Sequence, residues 1–470
     1  MTDQTAGRPP LRTEIGETLR LAGPAIVARA GMLLMSIADT VMVGRYQIAD
    51  LAYLGIAWSL STMLLVANIG LLMGTLVKTS HAFGRRDYAE CGRVWRRTLP
   101  LAALAGGIGF ALCFLAEPLL FAIGQSPEIA VEGARVTIAY GAGLPAIAIA
   151  IGCQFFLEGI KRPMPGMIAM LAANVLNVAL NAWLIYGGAG VDAMGADGAA
   201  WATTASRTLL AALALGYILS MRDRHRFAVR ARAGRNWTAY REQLKIGLAT
   251  GVALMAESMA FNGLTQVAGL IGIAALGAFS ATMNLLATVF MAAIGIGVAT
   301  SVRVGAAWGA GDRAGAERAG WIGFGLNCVV MALVAAALAP TARDLAGFYG
   351  LDADAQALAA DAMRLAGIVI LVDGAQAVLA NALRARNDVW PTTLIQIACF
   401  WGVMLPAAWA FAMPLDWGPA GLVAGIGVGT LASAAALALR FRLLALRDRR
   451  APFSDTVRHA IPPAKGTPSP

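Results

Sequence analysis

The sequence predicts an all-α polytopic membrane protein of twelve transmembrane helices, arranged as two parallel-repeat six-helix lobes. Three observations predict it: an apolar composition poor in charge, twelve apolar runs of membrane length, and a pattern that recurs across the two halves. Of the 470 residues, 58% are apolar and 14% charged, with mean hydropathy +0.66. Soluble domains average about 45–50% and about 25%. This composition excludes an ordinary soluble enzyme, and it excludes disorder, which needs low hydrophobicity. The 53 glycines fit the same class, because small residues let helices approach closely in lipid.

A helix needs about 20 apolar residues to cross the hydrocarbon layer. At that length the spans fall at 18–44, 51–77, 98–122, 134–157, 165–187, 198–221, 244–268, 279–302, 320–342, 361–383, 391–412 and 420–440. The first apolar run starts near Leu21 and is too long for a cleaved leader, so it reads as a permanent span. A β-barrel would need alternating segments of about ten residues; runs such as 146–152 and 329–338 do not alternate. The spans divide the chain into an N-terminal lobe at 18–221, a basic linker at 222–243 and a C-terminal lobe at 244–440. Tails at 1–17 and 441–470 read as disordered.

Charge sets the orientation, since Lys and Arg stay on the cytoplasmic side. The N-terminal tail, every second loop and the C-terminal tail carry 3, 6, 2, 8, 3, 2 and 7 of them, 31 of the 37. The alternate loops hold only Arg45, Arg135 and Arg343, against acids such as Asp192, Asp197, Asp352 and Asp354. Both termini are therefore expected in the cytoplasm, beneath a bacterial-type inner membrane. The richest basic loop, 222–245, invites a nucleic-acid reading, but beside a span it reads as an orientation signal against anionic lipid. The lipid bilayer is the expected partner, with no nucleic acid. Cys91, Cys113, Cys153, Cys328 and Cys399 are scattered and read as small core residues. His81, His225 and His459 lie too far apart to suggest a metal site.

The halves repeat at offsets of 222 to 226 residues. Leu51-Ala-Tyr-Leu-Gly55 returns as Ile273-Ala-Ala-Leu-Gly277, and Gly84-x-x-Asp87-x5-Arg93 returns as Gly309-x-x-Asp312-x5-Arg318. Pro165 matches Pro391, and Gly195-x-x-Gly198 matches Gly418-x-x-Gly421. Six spans per half make the repeats parallel, and folds of this kind place substrate sites within or between their bundles. Alternating access around a central cleft follows. A P-loop would need a Gly-Lys pair, yet none of Lys78, Lys161, Lys245 and Lys465 follows a glycine. Uphill transport must then draw on an ion gradient or a partner.

Ion coupling needs acids inside the membrane, where they are costly and mark function by default. Three stand out: Asp39, Glu257 and Asp373. Measured from Lys245 and Arg384, Glu257 and Asp373 lie at a common depth of roughly 16–18 Å, at about 1.5 Å per residue, so they can share a cavity in the second lobe. The same carboxylates suit a proton or Na⁺. Asp39, Asn177, Asn181 and Thr203 share a depth in the outer half of the first lobe and can form one polar cluster. The alternative role for the asparagines is to glue helices together. Arg29 and Arg207 also lie within the first lobe's spans, and Arg207, one turn from Thr203, is placed to reach Asp39 and hold it ionised. Met259, Phe261, Met283 and Phe290 read as helix-packing residues, with an adaptable pocket as the alternative.

Pro24, Ala38-Asp39-Thr40-Val-Met-Val-Gly44-Arg45, the Gly84-x-x-Asp87 loop, Glu158-Gly159 before Pro165, Asn177-x3-Asn181 ending in Gly187, and Ser301-Val-Arg303-Val-Gly305 before Gly309 resemble the multidrug and toxic compound extrusion (MATE) transporters. The similarity spans residues 15–440. It implies two lobes forming a V-shaped central cleft and cation-coupled export of organic, often cationic, compounds or amphiphiles. The family's second-lobe acids fall on Glu257 and Asp373, as in a NorM-like branch, and its proton-linked cluster falls on Asp39, Asn177, Asn181 and Thr203. That branch often has a Gln where this chain has Ser280, four residues before Asn284, so the cation ligand set departs from the pattern there. Both clusters being present leaves H⁺ and Na⁺ open as coupling ion, with no other cofactor expected. The protein is expected to be a monomer and not an enzyme, since no nucleophile–base set or metal spacing shares one depth. The rival reading is a lipid-linked glycan flippase of the same broad superfamily, whose pyrophosphate cargo would need a cleft rich in cations; only Arg29, Arg207 and Arg364 are available.

Overall fold

The computed structural model of the protein describes residues 10–188, 190–231 and 236–450. All regular structure among them is helical. The first lobe contains α1 (Leu11–Tyr46), α2 (Ile48–Gly84), α3 (Tyr88–Cys113), α4 (Ala116–Ala122), α5 (Pro127–Gly141), α6 (Leu144–Gly159), α7 (Met164–Leu184) and α8 (Gly195–Ser220). The second contains α9 (Trp237–Ile271), α10 (Ile273–Gly309), α11 (Arg313–Phe348), α12 (Ala353–Ala385), α13 (Trp390–Cys399), α14 (Leu405–Ala412) and α15 (Gly418–Arg450). Counting the bent pair α3–α4 (48°) as one span gives twelve membrane-length helical units. The third span breaks at Phe114 and Leu115, and α5 and α6 together make the fourth.

The eleventh span carries an irregularity that hydropathy does not report: a π-helical turn over Phe400–Met404 between α13 and α14. Its cause is local. Pro406 has no N–H to give to the carbonyl one turn back, so the ladder shifts register ahead of it.

The duplication is visible in the turns. Backbone with positive φ recurs at the repeat offset: Arg86 with Gly311, Gly124 with Gly350, Lys161 with Asn387, and Gly195 with Gly418. Asp87 and Asp312 cap α3 and α11 in the same manner, each accepting from the backbone N–H three residues on. One set of turn instructions builds both lobes.

Two regions differ from their hydropathy reading. Helix α1 begins at Leu11 and α15 continues to Arg450, so residues 11–17 and 441–450 are ordered helix rather than disordered tail. Ion pairs hold these extensions: Glu14 with Arg303 at 3.0 Å, Asp448 with Arg386 at 2.5 Å, and Arg449 with Glu317 at 2.9 Å. The remainder of both tails, 1–9 and 451–470, lies outside the described residues. The linker is also no free tether. Its Phe227 and Val229 are buried against Trp95 and Phe156 beneath the first lobe, Arg162 pairs with Asp223 at 2.7 Å, and residues from Trp237 onward already belong to α9. The Arg162 guanidinium holds the Asp223 carboxyl below the usual carboxylate range, so this anchor persists at neutral pH and is lost only as acid protonates Asp223.

The lobes meet where the basic loops are. Helix α2 packs on α9 and α1 on α10, and Gly247 of α9 rests directly on the backbone of Leu71. Polar contacts seal the same end: Gln243 donates to Thr98 (2.8 Å) and Thr75 (3.2 Å), Arg303 to Thr18 (2.7 Å), and His81 shares a hydrogen with the Ala385 carbonyl (2.6 Å). At the opposite ends of α2 and α10, Ile48 and Ile273 are 82% and 92% exposed. The lobes thus close on the basic-loop face and part toward the other.

Gly247→Leu should wedge this seam open. It is expected to destabilise by about 1–3 kcal/mol, the usual cost of overpacking, read as a lowered thermal unfolding midpoint in detergent. Gly216→Leu, where an added Cβ meets open space, should leave the midpoint unchanged.

Candidate ion-coupling sites

In the first lobe, α1, α7 and α8 bring all four predicted residues together. Asp39 is 2% exposed and accepts three hydrogen bonds: from Thr203 Oγ1 at 2.6 Å, Asn181 Nδ2 at 2.7 Å and Asn177 Nδ2 at 3.2 Å. Asn181 also donates to Asn177 Oδ1, and Asn177 to Thr203 Oγ1, which links the three donors in a chain around the carboxylate. Asn177 and Asn181 stand one turn apart on α7, so both amides reach Asp39 from one face. All three donors are neutral.

Arg207 does not take the role its position in sequence suggests. Its guanidinium lies over the Tyr140 ring, 4.2 Å from the centroid, and donates to the Tyr140 carbonyl at 3.3 Å. Both contacts turn the cation toward Tyr140 of α5, and it forms no ion pair with Asp39. Arg29 is likewise spent: it pairs with buried Glu158 of α6 at 3.4 Å and lies over Phe155. Glu158 belongs to the Glu158-Gly159 motif before Pro165, but nothing in the sequence names Arg29 as its partner.

In the second lobe, Glu257 sits on α9 and Asp373 on α12. Among the described residues neither has an Arg, Lys or His within ion-pair distance. Glu257 lies within electrostatic reach of Asp373 and of Arg384. Asp373 Oδ1 has no hydrogen-bond partner, and neither has either polar atom of Asn327, whose amide packs against Gly374 next to Asp373. A buried polar group left unpaired costs about 1–3 kcal/mol, and three such atoms lie on Asp373 and on the side chain beside Gly374.

Arg384 marks the membrane edge by sequence, but in the fold it is a buried cation, 3% exposed. It donates to Gln396 Oε1 at 2.5 Å, and Gln396 passes a second bond to Gln376 at 3.1 Å. Gln376 lies one turn from Asp373. This relay of Arg384, Gln396 and Gln376 was not legible in the sequence, apart from the i+3 spacing of Gln376 from Asp373. Trp401 was missed too. The π turn aims its Nε1 at the Ala256 carbonyl (3.1 Å), directly before Glu257. Such turns are frequent at functional sites.

Ser280 and Asn284 fall elsewhere. Both are exposed on α10, and Asn284 accepts from Tyr349 Oη at 3.4 Å. Ser280 is seven residues from the outer end of α10, whereas Glu257 is fourteen from the outer end of α9, which places the two at different depths. Phe261, Met283 and Phe290 pack against the second lobe's core. Met259 is exposed and lines an apolar groove of about 530 Å³ between α2, α9 and α13.

The comparison with known proteins finds both lobes. The MatE family model matches residues 24–183 and 249–410, one stretch in each lobe. The chain belongs to the MatE family. A probable multidrug resistance protein NorM of Caulobacter vibrioides is 37% identical over 94% of each chain. The multidrug resistance protein PmpM of Pseudomonas aeruginosa is 29% identical over 93% of each. Among solved structures, an outward-facing multidrug resistance MATE family transporter superposes with a TM-score of 0.86 at 19% identity, covering 93% of this chain and 97% of that one. A MOP superfamily transporter from Pyrococcus furiosus, described by a binding pocket of reverse polarity and a different function, gives the same TM-score, identity and coverage.

Thr203→Val keeps the shape at Asp39 but removes its shortest hydrogen bond. It should lower stability by about 1–3 kcal/mol, measured as thermal unfolding. Asp39→Asn should cost less, because the Thr203 hydroxyl can turn to accept from the new amide.

Proposed function

We propose that the protein is a secondary multidrug efflux transporter, exporting organic, often cationic, compounds by antiport with H⁺ or Na⁺ through alternating access. The observation that carries this reading is the set of carboxylates held within the spans without an ion-pair partner among the described residues: buried Asp39 in one lobe, buried Asp373 and half-buried Glu257 in the other. A permanently charged carboxylate is expensive there. One that is periodically neutralised by a passing ion has a reason to persist.

The two lobes offer different chemistry. Asp39 is wrapped by three neutral donors, which suits a carboxylate that changes its protonation with little rearrangement. Glu257 and Asp373, near each other's charge and beside the unpaired atoms of Asn327, suit a shared proton or a Na⁺ held by oxygen ligands. In either case the ion and a cationic cargo compete for the same negative charge, and coupling equals the cargo's difference in affinity between the two states. One charge moving across the full potential supplies about 2.3 kcal/mol per 100 mV.

The NorM and PmpM names of the relatives support a multidrug cargo. The glycan-flippase reading loses ground, because Arg29 is committed to Glu158, Arg207 to Tyr140, and Arg364 to Asp361 at the outer end of α12. Positive charge on the loops supports both termini in the cytoplasm of an inner membrane and a cleft that opens outward. The protein works as a monomer in this reading, since each lobe holds its own carboxylates.

Ethidium efflux from vesicles, driven by an imposed pH gradient or an imposed Na⁺ gradient, tests the assignment. Glu257→Gln and Asp373→Asn should each slow gradient-driven efflux by about tenfold or more, equivalent to about 1.4 kcal/mol of lost coupling. Asp39→Asn should flatten the dependence on the pH gradient. Full activity in all three variants would overturn the proposal.

A further inference from the structure

A second cavity, of about 370 Å³, lies where the lobes close, on the basic-loop face and far from the carboxylates described above. Its character is opposite to theirs. Its charged lining is Lys78 and Arg85 from the end of α2, Glu90 and Arg97 from α3, Glu242 from α9, and Arg313 from α11. That is four permanent cations against two carboxylates.

Both carboxylates are already committed. Lys78 binds Glu242 at 2.7 Å and Arg97 binds Glu90 at 3.0 Å. Arg85 and Arg313, one from each lobe, have no carboxylate within 4 Å among the described residues. The Arg313 guanidinium is not loose, however. It lies flat over the Trp308 indole, 3.4 Å from the ring centroid, which fixes its plane at the cavity wall. Buried His81 closes the floor, tied through Nε2 to the Ala385 carbonyl of the other lobe. Asn387 stands at the rim in a left-handed backbone conformation (φ 64°).

An organic cation would be repelled here. A small oxyanion would meet two unpaired guanidiniums whose planar donor forks match its oxygens, with Lys78 beside them as a point charge. We propose that this seam cavity binds a phosphate group, presented by a soluble phosphate or by the headgroup of an anionic lipid, and that the bound phosphate holds the lobes together on this face. The second half follows from the walls. Arg85 and Arg313 belong to different lobes, so the site is complete only when the seam is shut, and a ligand that binds one state alone stabilises that state. Binding is independent of the transport reading given above; only the significance of the closed seam rests on it.

The test uses the full chain in nanodiscs of zwitterionic lipid, with the five cysteines replaced and spin labels at Ile48→Cys and Ile273→Cys, on the exposed outer ends of α2 and α10. Inorganic phosphate is titrated by calorimetry, and in a second arm phosphatidic acid is included in the disc. A probe that binds should shift the inter-label distances toward the long, outer-open population. Arg85→Ala and Arg313→Ala, both at exposed positions, should each weaken binding about tenfold. Arg85→Lys should recover part of the loss, and Lys161→Ala, a basic change elsewhere on the same face, should have no effect. A response to inorganic phosphate identifies the soluble source, and a response to phosphatidic acid alone identifies the lipid. Absence of binding by both probes, binding unchanged in the two alanine variants, or saturating probe with no change in the distances would overturn the proposal. No drug or coupling gradient enters these measurements, so failure of the antiport reading leaves them interpretable.

Discussion

The structure depends on how few of its membrane charges are matched by an opposite one. A lone carboxylate in hydrocarbon costs several kcal/mol, and a pair that is broken costs about as much. Here the cations within the spans are taken by other groups: Arg29 by Glu158, Arg207 by the face and carbonyl of Tyr140, Arg303 by Glu14 and Thr18, Arg384 by Gln396. With those cations occupied, Asp39, Glu257 and Asp373 are left without an ion-pair partner among the described residues. In the proposed coupling, the arrangement of arginines matters as much as the acids themselves.

The helix packing serves the same end. Glycines at the basic-loop end of α2, α9 and α10 let backbones touch across the lobe boundary, and Gln243, Thr75 and Thr98 satisfy one another inside it. A tight, polar seam at one end lets the outer ends part without losing the fold. The carboxylates sit away from that seam, inside the lobes. Irregular backbone appears where it is useful: the π turn at Phe400–Met404 carries Trp401 to the carbonyl beside Glu257.

Much of the scaffold was legible in the chain. The spans follow from run length, and the repeat follows from motifs such as Gly84-x-x-Asp87 and Gly309-x-x-Asp312, whose turns and caps are alike in the fold. The first-lobe cluster was legible as well, because Asn177 and Asn181 share a face and a common depth with Asp39 and Thr203. Legibility failed for the ends of helices and for the partners of arginines. Hydropathy stops at the last apolar residue, whereas α1 and α15 continue past it on ion pairs with distant residues. Ser280 stands where the family resemblance expects a Gln, four residues before Asn284, and its depth along α10 separates it from Glu257.

The sequence by itself determined the number of spans, their division into two similar halves and the presence of unmatched acids at membrane depth, because periodicity, length and desolvation cost are properties of a single segment. Only the tertiary structure decided which acids stay unmatched. Depth along a helix can be counted from its residues, but azimuth and neighbours cannot, and it is azimuth that turns Arg207 onto Tyr140 and leaves Asp39 to Thr203, Asn177 and Asn181. The same holds for the seam, where Arg85 and Arg313 meet across more than two hundred residues because two helix ends from different lobes happen to close on one cavity.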